Sequence, residues 1–298
     1  MSLYSQINNN KWRTWLIIVL FIAFISTLVF IFGKATGGNA SGLSYAGIAL
    51  IISGIISFGS YYFSDKMILG MSNAKEIQKK DHPQLFNIVE NLCLGEGIPK
   101  PKIYIIDDSA PNAFATGRDP KHAVVCVTTG LLSKLNKGEL EGVMAHELSH
   151  VKNYDIRLMA IVTILVGMVA LLADFFMRSL WFRDDREDRG SNQVFLIIGI
   201  VLAILSPIIA TLIQLSVSRR REFLADASGA LLTRYPEGLA SALEKISGDK
   251  EPLEVANNAT AHLYIANPFK DKDKTNWFAG LFNTHPPIEE RIKILRSM

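Results

Sequence analysis

The sequence predicts a mainly helical α+β protein that is integral to a membrane, with about four transmembrane helices and one soluble domain that contains a small β-sheet. Three observations lead to this prediction. Hydrophobic residues make up 49% of the 298 residues, and many of them fall in four long apolar runs. Outside those runs, amphipathic helical patterns alternate with short segments rich in β-branched residues. One of the predicted helices also carries histidines at a metal-binding spacing.

Each apolar run has about 18 residues or more, which is enough to cross a bilayer core of roughly 30 Å as a helix. The runs are Trp15–Phe32, Leu43–Phe63, Ile156–Phe176 and Val194–Val217. The first is too long for a cleaved signal peptide and lacks a small-residue cleavage site, so we expect a retained anchor. The predicted organisation is therefore an N-terminal transmembrane hairpin over residues 1–63, a soluble domain built from residues 64–155 and 218–298, and a second transmembrane hairpin over residues 156–217.

The lysines and arginines near the run ends predict the orientation. Basic residues precede the first run and follow the second and fourth, whereas the short loop Gly33–Gly42 holds only Lys34. The soluble domain is thus expected on the cytoplasmic side. The loop Arg178–Gln193 disagrees, because it carries four arginines on the side predicted to be outside. The second hairpin is therefore left with two alternatives, a full crossing or a partial one.

Within the soluble domain, the pattern of apolar residues predicts a first helix that is capped by Asp81 and has Pro83 in its first turn. Short strands are expected at Lys102–Asp107, Asn112–Gly117 and Ala123–Thr128. Further helices follow over the histidine motif, over the segment that contains Glu222, near Pro236–Ser247 and over Pro287–Arg296. Residues Glu251–Asn283 are expected to form a polar, irregular excursion that passes over the site.

The histidine motif is His146-Glu147-Leu148-Ser149-His150. Residues four apart share one face of a helix, so His146 and His150 can reach one metal ion. Two imidazoles suit zinc, and Glu147 is placed to act as a general base on a water molecule. Two solvated histidines on a surface helix are the alternative, but the apolar flanks predict a helix at least half buried. Asn136 and Glu139 form a capping-box pattern that starts this helix.

A third ligand must come from elsewhere, because Ile156 occupies the position of the third histidine in one class of zinc proteases. Glu222 is the best candidate, and Asp226, one helical turn later, is placed to accept a hydrogen bond from a ligating histidine. From spacing alone, a charged surface helix explains Glu222 and Asp226 equally well. The intervening hairpin is compatible with the ligand interpretation, since two crossings return the chain to the face it left.

Taken together, these motifs resemble the HtpX family of membrane-integral zinc metalloproteases, which are related to the CAAX prenyl proteases. The resemblance covers essentially the whole chain. Besides the two hairpins, the histidine motif and the Glu222 helix, it rests on the segments Asn112–Gly117, Val127–Gly130 and Thr284–Pro287. It implies a zincin-type, gluzincin-like catalytic domain on the cytoplasmic side of a bacterial inner membrane, one Zn²⁺ per chain, and cleavage of misfolded or surplus membrane proteins in quality control and stress response.

The resemblance also assigns roles to individual residues. It implies that Glu222 joins His146 and His150 as a zinc ligand and that Glu147 is catalytic. His285 resembles a histidine that donates to the oxyanion of the tetrahedral intermediate; local packing at a helix start is its alternative. Substrate is expected to add as a strand at a sheet edge, with Asn112 and Ala113 beside the scissile bond. The alternative is that Asn112 and Ala113 belong to an ordinary turn and strand with no role in substrate binding.

Other function classes fit the sequence less well. An intramembrane protease would place the motif within a span and take a distant aspartate as ligand, and Asp174 is a poor substitute for one. A non-catalytic scaffold or pseudo-protease has no need of Glu147. Net charge is only +3, and the basic residues cluster at membrane ends, so we expect contact with the lipid bilayer and no nucleic-acid partner. The expected partners are protein substrates; the pattern does not indicate an oligomeric state.

Overall fold

The structure is a computed structural model that describes residues 3–167, 219–257, 260–269 and 286–298. Most of the second predicted hairpin, with Asp174, lies outside the described residues, as do His285 and Thr284. In the described part, no helix combines the length and apolar character needed to cross a membrane.

The chain begins with a long helical segment, α1, which runs from Leu3 to Met71 without the loop expected at Gly33–Gly42. This segment is not straight. The rings of Trp15 and Tyr61 stack with their centroids 6.4 Å apart, whereas a straight helix would separate residues that far apart in sequence by about 70 Å. The helical backbone therefore turns back between them. Ile17 from its first half and Tyr61 from its second half pack in one small apolar cluster together with Leu158, which follows later in the chain.

The rest of the described chain alternates short strands and helices. The strands are β1 (Lys75–Glu76), β2 (Lys102–Ile106), β3 (Ala113–Gly117) and β4 (Ala123–Thr128). The helices are α2 (Pro83–Glu96), α3 (Thr129–Lys134), α4 (Lys137–Lys152), α5 (residues 155–167 of the described chain), α6 (Arg219–Thr233), α7 (Pro236–Gly248) and α8 (Ile288–Leu295). The expected strand over Ala123–Thr128 is confirmed with the same bounds.

The four strands form one sheet in the order β1-β2-β4-β3. β2 and β4 are parallel, and β1 and β3 pair antiparallel with their neighbours. β3 is thus an edge strand. All five of its residues are nevertheless buried, because other parts of the chain cover that edge.

Helix α4 lies at the centre of the part of the described chain that follows α1. It contacts α2, α6, α7 and β3, and twelve of its sixteen residues are buried. The predicted capping box is confirmed: the Asn136 side chain accepts from the Glu139 N–H at 3.0 Å, and the Glu139 carboxylate accepts from the Asn136 N–H at 2.8 Å. Two glycines permit close helix crossings. A Cβ on Gly142 would lie 2.7 Å from Leu239 N in α7, and one on Gly229 of α6 would lie 3.1 Å from His146 N.

Two local predictions were wrong. His82, and not Asp81, caps α2: its Nδ1 accepts from Leu85 N at 3.2 Å, because Pro83 takes the first helical position and shifts the start by one residue. The excursion after α7 was expected to be polar, but its described residues from Ala261 to Ala266 are all buried. Apolar side chains at Leu263 and Ile265 give this irregular stretch a core-facing side.

Candidate active site

The structure brings the three predicted metal ligands together. His146 and His150 stand one turn apart on α4, and Glu222 faces them from the first turn of α6. Their ligand atoms all lie within 4.8 Å of one another, and the three side chains are buried. The Nε2 atoms of the two histidines are 3.3 Å apart, and the Glu222 carboxylate oxygens lie 3.7 Å from His146 Nε2 and 3.5 Å from His150 Nε2.

These separations match what a tetrahedral ion requires. Bonds of about 2.0–2.1 Å at tetrahedral angles place neighbouring ligand atoms about 3.3–3.4 Å apart. Three ligands in a buried pocket also leave a fourth position for water or substrate, as in catalytic zinc sites. The residues present therefore fit a small divalent metal ion.

The outward nitrogen of each histidine meets a carboxylate. His146 Nδ1 lies 2.9 Å from Asp226 Oδ1, as predicted, and His150 Nδ1 lies 3.1 Å from Asp155 Oδ2. An ionised carboxylate can only accept, so each Nδ1 carries a proton, and in the neutral form of each ring the lone pair on Nε2 is available to a metal. The two pairs hold both imidazole rings in the same tautomer.

Asp155 and Arg291 are the residues that sequence reasoning missed. The Arg291 guanidinium, fully buried on α8, donates to both oxygens of Asp226 at 2.8 and 2.7 Å. Asp155 accepts from Asn10 Nδ2 at 2.7 Å and from Arg221 Nη1 at 3.3 Å. No motif spacing marks Arg291 or Asn10, because both come from segments far from the histidine motif in the chain. The acidic residue five positions after His150 was the one available signal.

Charge within this buried cluster favours a dication. Four carboxylates (Glu147, Asp155, Glu222 and Asp226) face two guanidinium groups, those of Arg221 and Arg291. With Glu147 ionised and His150 neutral, the state in which both imidazoles can bind a metal, the cluster has a surplus of two negative charges; without an ion, protons on His150 and Glu147 offset part of that surplus. A divalent cation between the histidines and Glu222 would balance that surplus.

The electrostatics of Glu147 suit a proton carrier. Its side chain is buried beside His150 and Glu222, and the Ala115 N–H of the edge strand donates to it. Burial is the main cause that raises the pKa of Glu147 to about 7, and the neighbouring Glu222 carboxylate adds to the effect. A carboxyl with a pKa near neutrality can both accept and return a proton at physiological pH.

The two histidines differ in pKa. Burial lowers the pKa of His146, which stays neutral beside Asp226. Burial also opposes the charge on His150, but the hydrogen bond to Asp155 and the negative charge of Glu222 outweigh it and raise the pKa to about 9. A metal ion would therefore compete with a proton at His150.

Asn112 and Ala113 lie at the start of the edge strand β3, which packs against α4. Both are buried, and both already have partners. Asn112 Nδ2 donates to Ala266 O at 3.2 Å, and Ala113 O accepts from Ile265 N at 3.0 Å. The chain's own excursion after α7 thus occupies the positions where substrate was expected. His285 lies outside the described residues.

Comparison with known proteins places this chain among peptidases. Residues 79–298 match the profile of Peptidase family M48. A Protease HtpX homolog of Dictyoglomus turgidum is 47% identical to this chain, in an alignment that covers all of this chain and 95% of that protein. The same name and identity are found in Tropheryma whipplei, over 99% of this chain and 98% of that protein.

A solved structure shares the fold. The crystal structure of S. mikatae Ste24p superposes with a TM-score of 0.52 at 19% identity. The alignment covers 95% of this chain and 65% of that protein, so the present chain spans less than two thirds of its length. The family profile and the full-length relatives, together with the two-histidine, one-glutamate cluster, show that this chain belongs to peptidase family M48 and is a metalloprotease related to the HtpX proteases.

Proposed function

We propose that this protein is a membrane-bound zinc metalloendopeptidase whose ion is held by His146, His150 and Glu222, with one Zn²⁺ per chain. The observation that carries the proposal is the spacing of the ligand groups beside the buried carboxyl of Glu147: the two histidine Nε2 atoms are 3.3 Å apart, and each lies 3.5–3.7 Å from one oxygen of Glu222. Two imidazoles and a carboxylate are a donor set typical of catalytic zinc. Asp226 and Asp155 orient the imidazoles.

When bound, zinc supplies Lewis-acid polarisation of the scissile carbonyl and acidifies water. Glu147 takes the proton of the attacking water and delivers it to the leaving amine nitrogen, for which a pKa of about 7 is suited. In this proposal His285 donates to the developing oxyanion, as the resemblance suggests. The surrounding helices keep bulk water from the site, which strengthens each of these electrostatic interactions.

Substrate is proposed to bind in an extended conformation along the edge strand β3, beside Asn112 and Ala113. Residues 113, 115 and 117 turn their main-chain groups away from β4, since the intervening residues carry the ladder. The Ala115 N–H on this outer edge already points to Glu147, so a peptide along the edge would pass the general base. Main-chain recognition of this kind gives broad sequence tolerance.

The proposed setting is a bacterial inner membrane, with hairpins at residues 1–63 and 156–217 and the peptidase domain (residues 64–155 and 218–298) in the cytoplasm. The apolar runs and the distribution of lysine and arginine support this placement. Misfolded or surplus membrane proteins are the proposed substrates, as part of quality control under stress.

The proposal is tested by measuring zinc content and casein cleavage in detergent for the wild type, Glu147→Gln and Glu222→Ala. We expect about one zinc per chain and cleavage in the wild type. Glu147→Gln should keep zinc and lose at least about 10²-fold in kcat, because the base is removed while the ligands stay. Glu222→Ala should lose both zinc and cleavage.

A matched control is Glu141→Gln, which makes the same change on the same helix at a partly exposed position. It should keep both zinc and activity. Normal cleavage by a clean Glu147→Gln preparation would overturn the assignment of the base. Zinc retained in Glu222→Ala would show that the third ligand lies elsewhere.

A further inference from the structure

Three groups beside the proposed active site form hydrogen bonds with the main chain of the protein's own segment 264–266. Ile265 N donates to Ala113 O at 3.0 Å, and Ile265 O accepts from Arg291 Nη1 at 3.1 Å. The next carbonyl, that of Ala266, accepts from Asn112 Nδ2 at 3.2 Å. We call these three hydrogen-bonding groups the main-chain clamp; they are Ala113 O, Asn112 Nδ2 and Arg291 Nη1.

The main-chain clamp recognises peptide groups and not side chains. It contacts one N–H and two successive carbonyls, which every residue other than proline offers. The segment itself is bent and forms no strand, so regular sheet pairing does not explain the contacts. A set of fixed donors and acceptors at a sheet edge is the usual means by which proteins bind a peptide of variable sequence.

The main-chain clamp lies next to the proposed reacting centre. Arg291 Nη2 is 3.4 Å from His146 Nδ1, and Arg291 Nη1 is 3.7 Å from Glu222 Oε2. On β3, two residues beyond Ala113, the Ala115 N–H donates to Glu147. A peptide held by the clamp would therefore continue past the general base and the ligand cluster.

The segment also shows which side chain the clamp accepts. The Ile265 side chain is 1% exposed and belongs to the main core cluster, so the residue at the clamped position is surrounded by apolar side chains. Beside it, the Tyr264 ring packs edge-on against Phe114 with ring centroids 5.1 Å apart. An aliphatic residue at the clamped position satisfies this environment.

We propose that residues 264–266 are an internal ligand of the main-chain clamp, and that a substrate peptide with an aliphatic residue at the clamped position displaces them. The inference rests on the proposed peptidase function and adds a self-occupied subsite to it. Because substrate binds only molecules whose clamp is vacated, the apparent dissociation constant rises by the inverse of the vacated fraction. The segment thus limits cleavage of weakly binding, folded or short substrates.

Hydrogen exchange tests displacement without altering the segment. The protein is the zinc-loaded Glu147→Gln full chain in detergent, and the probe is a fluorescein-labelled casein peptide that the wild type cleaves. Binding is followed by anisotropy. With the peptide bound, amides of residues 263–266 should exchange about tenfold faster or more, while those of β4 stay unchanged. Unchanged or slower exchange in 263–266 with the peptide bound would overturn the inference.

A pair of proline variants tests competition kinetically. Ile265→Pro removes the N–H that Ala113 O accepts and should raise kcat/KM for the same peptide about threefold or more, through a lower KM. Leu253→Pro is the control, because it also removes one main-chain donor of the excursion, the N–H bonded to Pro268 O at 2.9 Å, but outside the clamp. It should not lower KM.

The outcomes separate the two proposals. A wild type that holds zinc but cleaves no peptide contradicts the proposed function. A wild type that cleaves, combined with an Ile265→Pro variant whose KM is unchanged or higher at full zinc content, contradicts the internal-ligand inference alone. If Ile265→Pro does not fold, the exchange measurement still decides, since its protein carries the native segment.

Discussion

At the level of single residues, the buried pair of Asp226 and Arg291 shows how this protein keeps charge inside its core. The contact is bidentate, with both carboxylate oxygens 2.7–2.8 Å from guanidinium nitrogens, and Asp226 also accepts from His146. Although burial alone would raise it, the adjacent Arg291 charge holds the pKa of Asp226 below its ordinary value. The aspartate therefore stays ionised and keeps the tautomer of His146 fixed.

Asp226→Asn is expected to weaken zinc affinity by about 10- to 100-fold, because His146 loses its anionic acceptor. It should also destabilise the fold by up to about 3–5 kcal/mol, since the buried Arg291 loses its bidentate carboxylate and keeps only the more distant Glu222. Zinc titration with a competing chelator and thermal unfolding in detergent measure the two effects.

The double variant Asp226→Asn/Arg291→Met separates the two effects. Replacing the buried Arg291 guanidinium with an apolar side chain should recover most of the lost stability, because exchanging a buried ion pair for apolar residues often leaves the stability unchanged. Zinc affinity should stay low. Recovery of zinc affinity together with stability would show that Asp226 acts on the metal site only through folding.

At the level of secondary-structure elements, the start of α4 is anchored by a carboxylate. Glu139 accepts from the Asn136 N–H, from Ser241 at 2.7 Å and from Lys245 at 2.8 Å. Burial alone would raise its pKa, but these hydrogen bonds, that from Lys245 first, hold the pKa of Glu139 below the ordinary 4.5. The folded state therefore favours the ionised carboxylate.

Glu139→Gln should cost about 1–2 kcal/mol of stability at pH 7. Because the folded pKa is depressed, the stabilisation is complete above about pH 4.5 and is lost as pH falls through the folded pKa. The difference in Tm between wild type and variant should thus be constant from pH 8 to 5 and shrink under more acid conditions. Glu141→Gln serves as control and should show no such difference; a Tm gap that widens in acid would contradict the assignment.

The crossing of α4 and α6 yields another prediction. Gly229→Ala would place a Cβ 3.1 Å from His146 N and push α6 outward by a few tenths of an ångström. Glu222 stands two turns earlier on the same helix, so zinc affinity should fall by roughly tenfold. Gly248→Ala, whose Cβ meets nothing within 4 Å, should leave zinc binding unchanged.

The sequence predicted elements and local spacings well and long-range partners poorly. The α4 capping box, the β4 strand and the placement of Asp226 one turn after Glu222 follow from periods of three, two and four residues, which are local properties of the backbone. Arg291, Asp155 and Asn10 join the site only through the tertiary arrangement. Nothing in the sequence neighbourhoods of Arg291 and Asn10 marks them, and the burial of residues 261–266 likewise depends on which edge of the sheet they cover.

At the level of the whole molecule, the first helix is tied to the metal cluster. Asn10 on α1 donates to Asp155 Oδ1 at 2.7 Å and to Asn153 O at 2.9 Å, and Asp155 holds His150. The helix proposed to enter the membrane thus shares a hydrogen-bond network with a proposed zinc ligand. Truncating α1 would disturb the site as well as the anchor.

Asn10→Ala should lower zinc affinity by several-fold to about tenfold, because Asp155 loses a short hydrogen bond that orients it towards His150. Asn8→Ala is the matched control, since Asn8 is exposed on the same helix. Chelator competition measures both. Equal affinities in the two variants would show that the tie from α1 does not reach the metal.

The members of this hydrogen-bond network are also synthesised in a fixed order. Asn10 is synthesised first, then His146 and Asp155, then Glu222 and Asp226, and Arg291 after all of them. A chain still on the ribosome that has not yet made α8 lacks the guanidinium that fixes Asp226 and, through it, His146. The complete hydrogen-bond network around His146 can therefore form only after α8 has been synthesised and has packed against the rest of the domain.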